Sequence, residues 1–215
     1  MGTTGYLDRD DAGRRLAPAV VAALAPLGDA PVVVLGLARG GVPVAAPIAD
    51  ATGGLLDVLV VRKIGTPGHE ELAIGAVAAG GAEVLNEPLI RQLGLREQDV
   101  DRQRERARRE LAEREERLRG GRPFPDLTGR VVVLVDDGLA TGATMRSAVE
   151  AMRTAGPRAL VVAVPVGAPD SCEELATTVD ALVCPFRPQG FQAVGQWYRN
   201  FDATTDRDVA RILTG

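Results

Sequence analysis

The segment with the most chemical content is Val131-Val-Val-Leu-Val-Asp-Asp-Gly-Leu-Ala-Thr-Gly-Ala-Thr144. Five apolar residues run into two adjacent acids, Asp136 and Asp137, and the pattern soon turns helical. The carboxyl end of a buried parallel strand is where open α/β sheets place ligands. Gly138 and Gly142 let backbone N–H groups come close to an anion. The start of the next helix adds unpaired donors and the positive end of a dipole. Thr141 and Thr144 carry hydroxyls that can donate to phosphate oxygens. Two acids beside such a loop repel an anion, so they must meet hydroxyl groups or a cation. A sugar phosphate with free hydroxyls, together with Mg²⁺, meets both demands.

Other phosphate motifs fit less well. No GxxxxGK[ST] occurs, and Gly36-Leu-Ala-Arg-Gly-Gly41 lacks the GxGxxG spacing of a dinucleotide site. The acids are adjacent, not arranged as the D-x-D of aspartyl-phosphate enzymes. Two further polar segments follow apolar runs: Ala38-Arg-Gly-Gly41 and Arg62-Lys63. The chain holds 24 arginines but one lysine, Lys63, and its one histidine, His69, lies six residues on.

Residues 132–144 resemble the 5-phosphoribosyl-1-pyrophosphate (PRPP) motif of type I phosphoribosyltransferases: four hydrophobic residues, two acids, three variable positions, then Thr-Gly-x-Thr. The resemblance implies that Asp136 and Asp137 contact the ribose 2′ and 3′ hydroxyls, with Mg²⁺ close by and held indirectly. It implies that Gly138, Leu139, Ala140, Thr141, Gly142, Ala143 and Thr144 hold the 5′-phosphate. Ala38, Arg39, Gly40 and Gly41 resemble the family's pyrophosphate loop, which often contains a strained or cis peptide. Arg62 and Lys63 resemble the basic pair that opens the hood-loop region. Asp136, Asp137, Arg39 and Lys63 are then the catalytic set, and residues 65–71, with the 73–86 hairpin, the candidate lid.

The implied reaction displaces pyrophosphate from ribose C1 by a nitrogenous acceptor, with purine bases among the candidates. Hypoxanthine- and guanine-type relatives carry an acid in the loop that serves the purine. Ala140 stands there in this chain, which argues against that route and resembles adenine-type enzymes more closely. Two alternatives stay open: a regulator that senses PRPP or a nucleotide without turnover, and another sugar-phosphate enzyme such as a hydrolase. Relatives are frequently dimers, so a homodimer is expected.

The elements that must position these residues follow from periodicity. Residues 8–27 read as an amphipathic helix with Asp8 as N-cap and Gly28 as stop. Apolar runs at 31–35, 57–61, 131–135, 159–166 and 180–184 read as strands, with helices over 42–51 and 143–155. Continuous apolar strands alternating with helices indicate an α/β fold whose parallel sheet is covered on both faces. Gly80-Gly81 marks a hairpin between 73–79 and 83–86. The expectation is one domain, 1–215, with a charged helical insertion at about 88–122 and a C-terminal hood at about 185–215. The insertion interleaves arginines with acids and reads as a solvated helix.

Five of the seven aromatics lie at 186–201: Phe186, Phe191, Trp197, Tyr198 and Phe201. They either pack a minor core or offer Phe186, Phe191, Trp197 and Tyr198 to a flat base. A net charge of −4 argues against a nucleic-acid partner. The longest apolar run is too short to span a bilayer, and residues 1–11 lack the layout of a secretory signal. A cytoplasmic location is expected. Cys172 and Cys184 have neither CxxC spacing nor neighbouring histidines and read as ordinary thiols.

Overall fold

The computed structural model describes residues 5–214. Helix α1 (Arg9–Leu24) begins where the Asp8 side chain accepts from the Asp11 amide, and a short 3₁₀ turn carries it to Gly28 at φ 75°. Strand β1 (Val32–Leu37) runs through Gly36 and reaches α2 (Gly41–Thr52) by a three-residue turn. Strand β2 (Leu55–Leu59) follows, parallel to β1.

The apolar run 57–61 is not one strand. The chain leaves the first sheet at Val60 and opens a second one: β3 (Val61–Thr66), β4 (His69–Ala78) and β5 (Glu83–Leu85), antiparallel in that order. A run of five apolar residues looks the same whether it is one strand or the end of one and the start of another. Residues 65–71, expected as a loop, are the tip of the β3–β4 hairpin, turning at Pro67 and Gly68, whose φ is 78°. The expected hairpin around Gly80-Gly81 is present as β4–β5.

The charged insertion is two helices, α3 (Glu87–Gln92) and α4 (Glu97–Arg119), parted near Gly94 at φ 62°. Nor is α4 merely solvated. Val100, Ala107, Leu111 and Leu118 form a buried stripe that packs with Ile64, Ile74 and Val77 of the second sheet. Its arginines reach outward to fixed acids: Arg104 and Arg108 to Glu83, and Arg106 to Glu70.

The chain then returns to the first sheet through β6 (Val131–Val135), α5 (Ala143–Arg153), β7 (Ala159–Ala163), α6 (Pro169–Ala176) and β8 (Ala181–Val183). The sheet order is β2-β1-β6-β7-β8, parallel throughout. Both faces are buried, which is why β6 and β7 are apolar at every position. On one face Leu16, Val20, Val44 and Ile48 of α1 and α2 pack against Val131, Val133 and Val161. On the other, Met145, Val149 and Met152 of α5 and Leu175 of α6 pack against Leu134 and Leu160. After β8 an irregular segment carries the aromatics and leads to α7 (Asp206–Thr214), which buries Val209 and Leu213 with α4. No helix among the described residues is long and apolar enough to cross a membrane.

Candidate active site at the end of β6

Strand β6 stops at Val135, and the chain turns across the sheet's carboxyl edge. The Asp137 amide donates to Asp136 Oδ1 at 2.9 Å. Behind the loop, Leu139 N–H donates to Val166 O (2.9 Å) and Ala168 N–H to Leu139 O (2.8 Å). Ser171 Oγ donates to Ala140 O at 2.6 Å, and Arg146 Nη1 to Thr141 O at 2.8 Å. The carbonyls of Leu139, Ala140 and Thr141 are therefore each paired. The amides of Ala140, Thr141, Gly142 and Thr144 donate to no group among the described residues. Gly142 sits at φ 70°, so the chain reverses there and leads those amides into the first turn of α5. Such a row of unpaired N–H groups at a helix start can cradle an anion.

The loop after β1 lies directly against this edge. A Cβ on Gly41 would lie 2.3 Å from Val135 O, and one on Gly40 2.2 Å from Asp137 Oδ2. Only glycine allows that approach. The peptide between Ala38 and Arg39 is cis, and the Arg39 and Gly40 amides donate to no described group. The Arg39 guanidinium points elsewhere: Nη1 pairs with Asp206 of α7 at 3.3 Å.

Both acids are largely withdrawn from water. Burial pushes Asp136 up to about 8, and the Asp137 charge acts in the same direction. Burial also raises Asp137, but Arg9 pulls it back, with Nε 2.8 Å from Asp137 Oδ2. Arg9 is the site residue that the sequence does not reveal. It stands 128 positions from its partner, and nothing local separates it from 23 other arginines.

The second sheet forms the other wall. A cleft of about 400 Å³ is lined by Arg62, Lys63, Arg106 and Glu110, and by Thr144 and Ser147 of α5. Lys63 and Thr144 thus share one space. Arg62 is bonded to Glu110, whereas Lys63 is exposed and has no ion pair among the described residues. His69 is exposed at the start of β4.

The aromatics pack with one another. Phe186 and Trp197 meet edge to face at 4.9 Å, and Phe191 and Val194 rest on a buried cluster of Tyr6, Ala12 and Tyr198. Tyr198 donates its hydroxyl to Asp137 O at 2.6 Å. Val194 caps the acid loop, since a Cβ on Gly138 would come within 2.6 Å of it. Cys172 and Cys184 are free and buried. Among the described residues no group of three or more His, Cys, Asp or Glu could hold a metal.

A family model described as a phosphoribosyl transferase domain matches residues 8–191. The chain belongs to the phosphoribosyl transferase family. Two Mycobacterium tuberculosis proteins with provisional phosphoribosyl transferase names, one from strain CDC 1551 and one from H37Rv, are each 47% identical over 206 residues. Those residues are 96% of this chain and 46% of either relative, so the chain spans about half the length of the curated relatives it matches. The crystal structure of TT1426 from Thermus thermophilus superposes with a TM-score of 0.83 at 47% identity, covering 97% of both chains. The phosphoribosyl transferase match contains both loops at the sheet edge and the cleft residues Arg62 and Lys63. It ends before Tyr198, which bonds Asp137 O, and before α7, whose Asp206 pairs with Arg39.

Proposed function

We propose that this domain binds PRPP with Mg²⁺ and transfers its phosphoribosyl group to a nitrogenous acceptor, releasing pyrophosphate. The observation that supports this most is the pairing of a buried acid dyad with the unpaired amides of Ala140, Thr141, Gly142 and Thr144 at the start of α5. An anion cradle and two acids within one loop suit a ligand that is phosphate at one end and hydroxyl at the other. In this reading the cradle holds the 5′-phosphate, helped by the Thr141 and Thr144 hydroxyls. Asp136 and Asp137 accept from the ribose hydroxyls. The diphosphate lies toward the free Arg39 and Gly40 amides, with Lys63, which has no ion pair among the described residues, as its candidate cation.

Asp136 and Asp137 are the residues that would stand near a Mg²⁺ bound with PRPP, and such an ion would make the diphosphate a better leaving group. The protein's own task is alignment and exclusion of water, because an unshielded PRPP would hydrolyse. The β3–β4 hairpin lines the cleft with Gly65, Glu70 and Glu71, so this hairpin is the candidate cover. Phe186, Phe191, Trp197 and Tyr198 border the acceptor side, and Ala140 offers no acid to a 6-oxopurine. The homodimer rests on family resemblance; light scattering of the purified protein tests it.

One observation favours a sensor without turnover. Arg39 is engaged by Asp206 rather than free for a diphosphate. A Mg²⁺-dependent screen for pyrophosphate release from PRPP, across purines, pyrimidines and small amines, separates the two. Release with one acceptor class supports transfer. PRPP binding with no release from any acceptor supports the sensor.

A further inference from the structure

Arg9 belongs to no recognisable motif, yet it stands where three segments meet. Its Nε donates to Asp137 Oδ2 at 2.8 Å and its Nη1 to Asp202 O at 2.7 Å. The guanidinium carbon lies 3.9 Å from the centre of the Phe201 ring. The loop after β1 closes a third side, because a Cβ on Gly40 would lie 3.3 Å from Arg9 Nε. A guanidinium is planar, so two divergent bonds and a stacked ring leave it one orientation. The Asp137 carbonyl is pinned separately by the Tyr198 hydroxyl. Asp137 is thus held at side chain and backbone by residues outside its own loop. Among the described residues the Asp136 carboxyl, by contrast, accepts only from the neighbouring Asp137 amide.

The side chains of Arg9 and Asp137 are 12% and 15% exposed. Burying such a pair is weak evidence for a stabilising role, because desolvation offsets much of the attraction. What the pair does supply is a fixed direction for a carboxylate beside an anion cradle.

We propose that Arg9 is a positioning residue of the ribose site. It holds the Asp137 carboxylate in the direction from which it accepts the ribose hydroxyls. The bond to Asp202 and the shelf of Phe201 make this depend on the docked C-terminal segment, so α1 and residues 198–202 complete the site together. The proposal rests on the reading that residues 136–144 hold a ribose phosphate.

The test titrates ribose 5-phosphate, 2-deoxyribose 5-phosphate and inorganic phosphate into the wild-type protein, Arg9→Gln and Arg9→Lys. The wild-type protein is expected to prefer ribose over deoxyribose by about tenfold, the worth of one hydrogen bond to a charged group. In Arg9→Gln that ratio falls close to one while inorganic phosphate binds as before. Arg9→Lys gives an intermediate ratio, since an ammonium cannot span Asp137 and Asp202 as a fork does. A wild-type ratio retained in Arg9→Gln overturns the proposal. So does a parallel loss for all three probes, which would mean that Arg9 supports the fold or holds phosphate itself. If Arg9→Gln does not fold, an unchanged ratio in Arg9→Lys overturns it equally. A wild-type protein with no preference for ribose sinks the ribose reading first, before any variant is compared.

Discussion

Arg119, the last residue of α4, reaches down to Asp57 on the edge strand β2, with Nη2 2.6 Å from Oδ2 and Nε 3.2 Å from Oδ1. The same Nη2 donates to Pro123 O, and Nη1 donates to Glu115. The two side chains are 4% and 8% exposed. This fork fastens the charged insertion, and with it one wall of the cleft, to the parallel sheet.

Arg119→Met therefore leaves the Asp57 carboxylate buried without its partner. The expected cost is about 3–5 kcal/mol. Urea denaturation checks it, and Arg119→Met with Asp57→Leu is expected to regain most of the loss. A cost under about 1 kcal/mol, the range of exposed pairs, would refute the anchoring role.

Thr144 lies in the first turn of α5 with its side chain exposed in the cleft. Thr144→Val keeps the shape and removes the hydroxyl. Ribose 5-phosphate is expected to bind about 1–3 kcal/mol more weakly, the usual cost of an unmade partner to a charged group. Calorimetric titration of both proteins measures this, and equal affinities would remove Thr144 from the phosphate site.

Lys63 faces Ala76 across the hairpin and projects into the same cleft as Thr144. In Lys63→Ala, affinity for PRPP is expected to fall about tenfold, as one charge-assisted bond is lost. Affinity for ribose 5-phosphate, which lacks the diphosphate, falls less. Equal losses for the two ligands would place Lys63 at the 5′-phosphate instead.

Different parts of the molecule were legible in the sequence to different degrees, for physical reasons. Residues 131–144 could be read because a strand buried on both faces is apolar at every position and an acid pair marks where it ends. The break at Val60 could not, since hydrophobicity does not record which sheet a strand joins. In α4 the buried stripe Val100, Ala107, Leu111 and Leu118 is diluted by charges whose partners, Glu83, Glu70 and Asp57, lie in other elements. The Arg9–Asp137 bond is a product of tertiary closure alone. The cradle amides, by contrast, follow from glycine placement and helix onset, which are local.

The dyad also predicts a pH dependence. Burial pushes Asp136 up to about 8, which favours its protonated form at pH 7 in the free protein. A carboxylate that accepts from a ribose hydroxyl near Mg²⁺ is favoured in its charged form. Binding of Mg²⁺ and PRPP at pH 7 is therefore expected to release a proton, and affinity to rise with pH up to about 8 before levelling. Stability runs the opposite way. The folded state keeps a proton that the unfolded chain loses near pH 4, so Asp136 lowers stability progressively from about pH 4 to about 8. Asp136→Asn is expected to remove the proton release, weaken PRPP and raise the melting temperature at pH 8. Titrations in buffers of different ionisation enthalpy read the proton directly. Release of equal size in Asp136→Asn would place the titrating group elsewhere, and no release in the wild-type protein would mean that Asp136 is already charged before the ligand arrives.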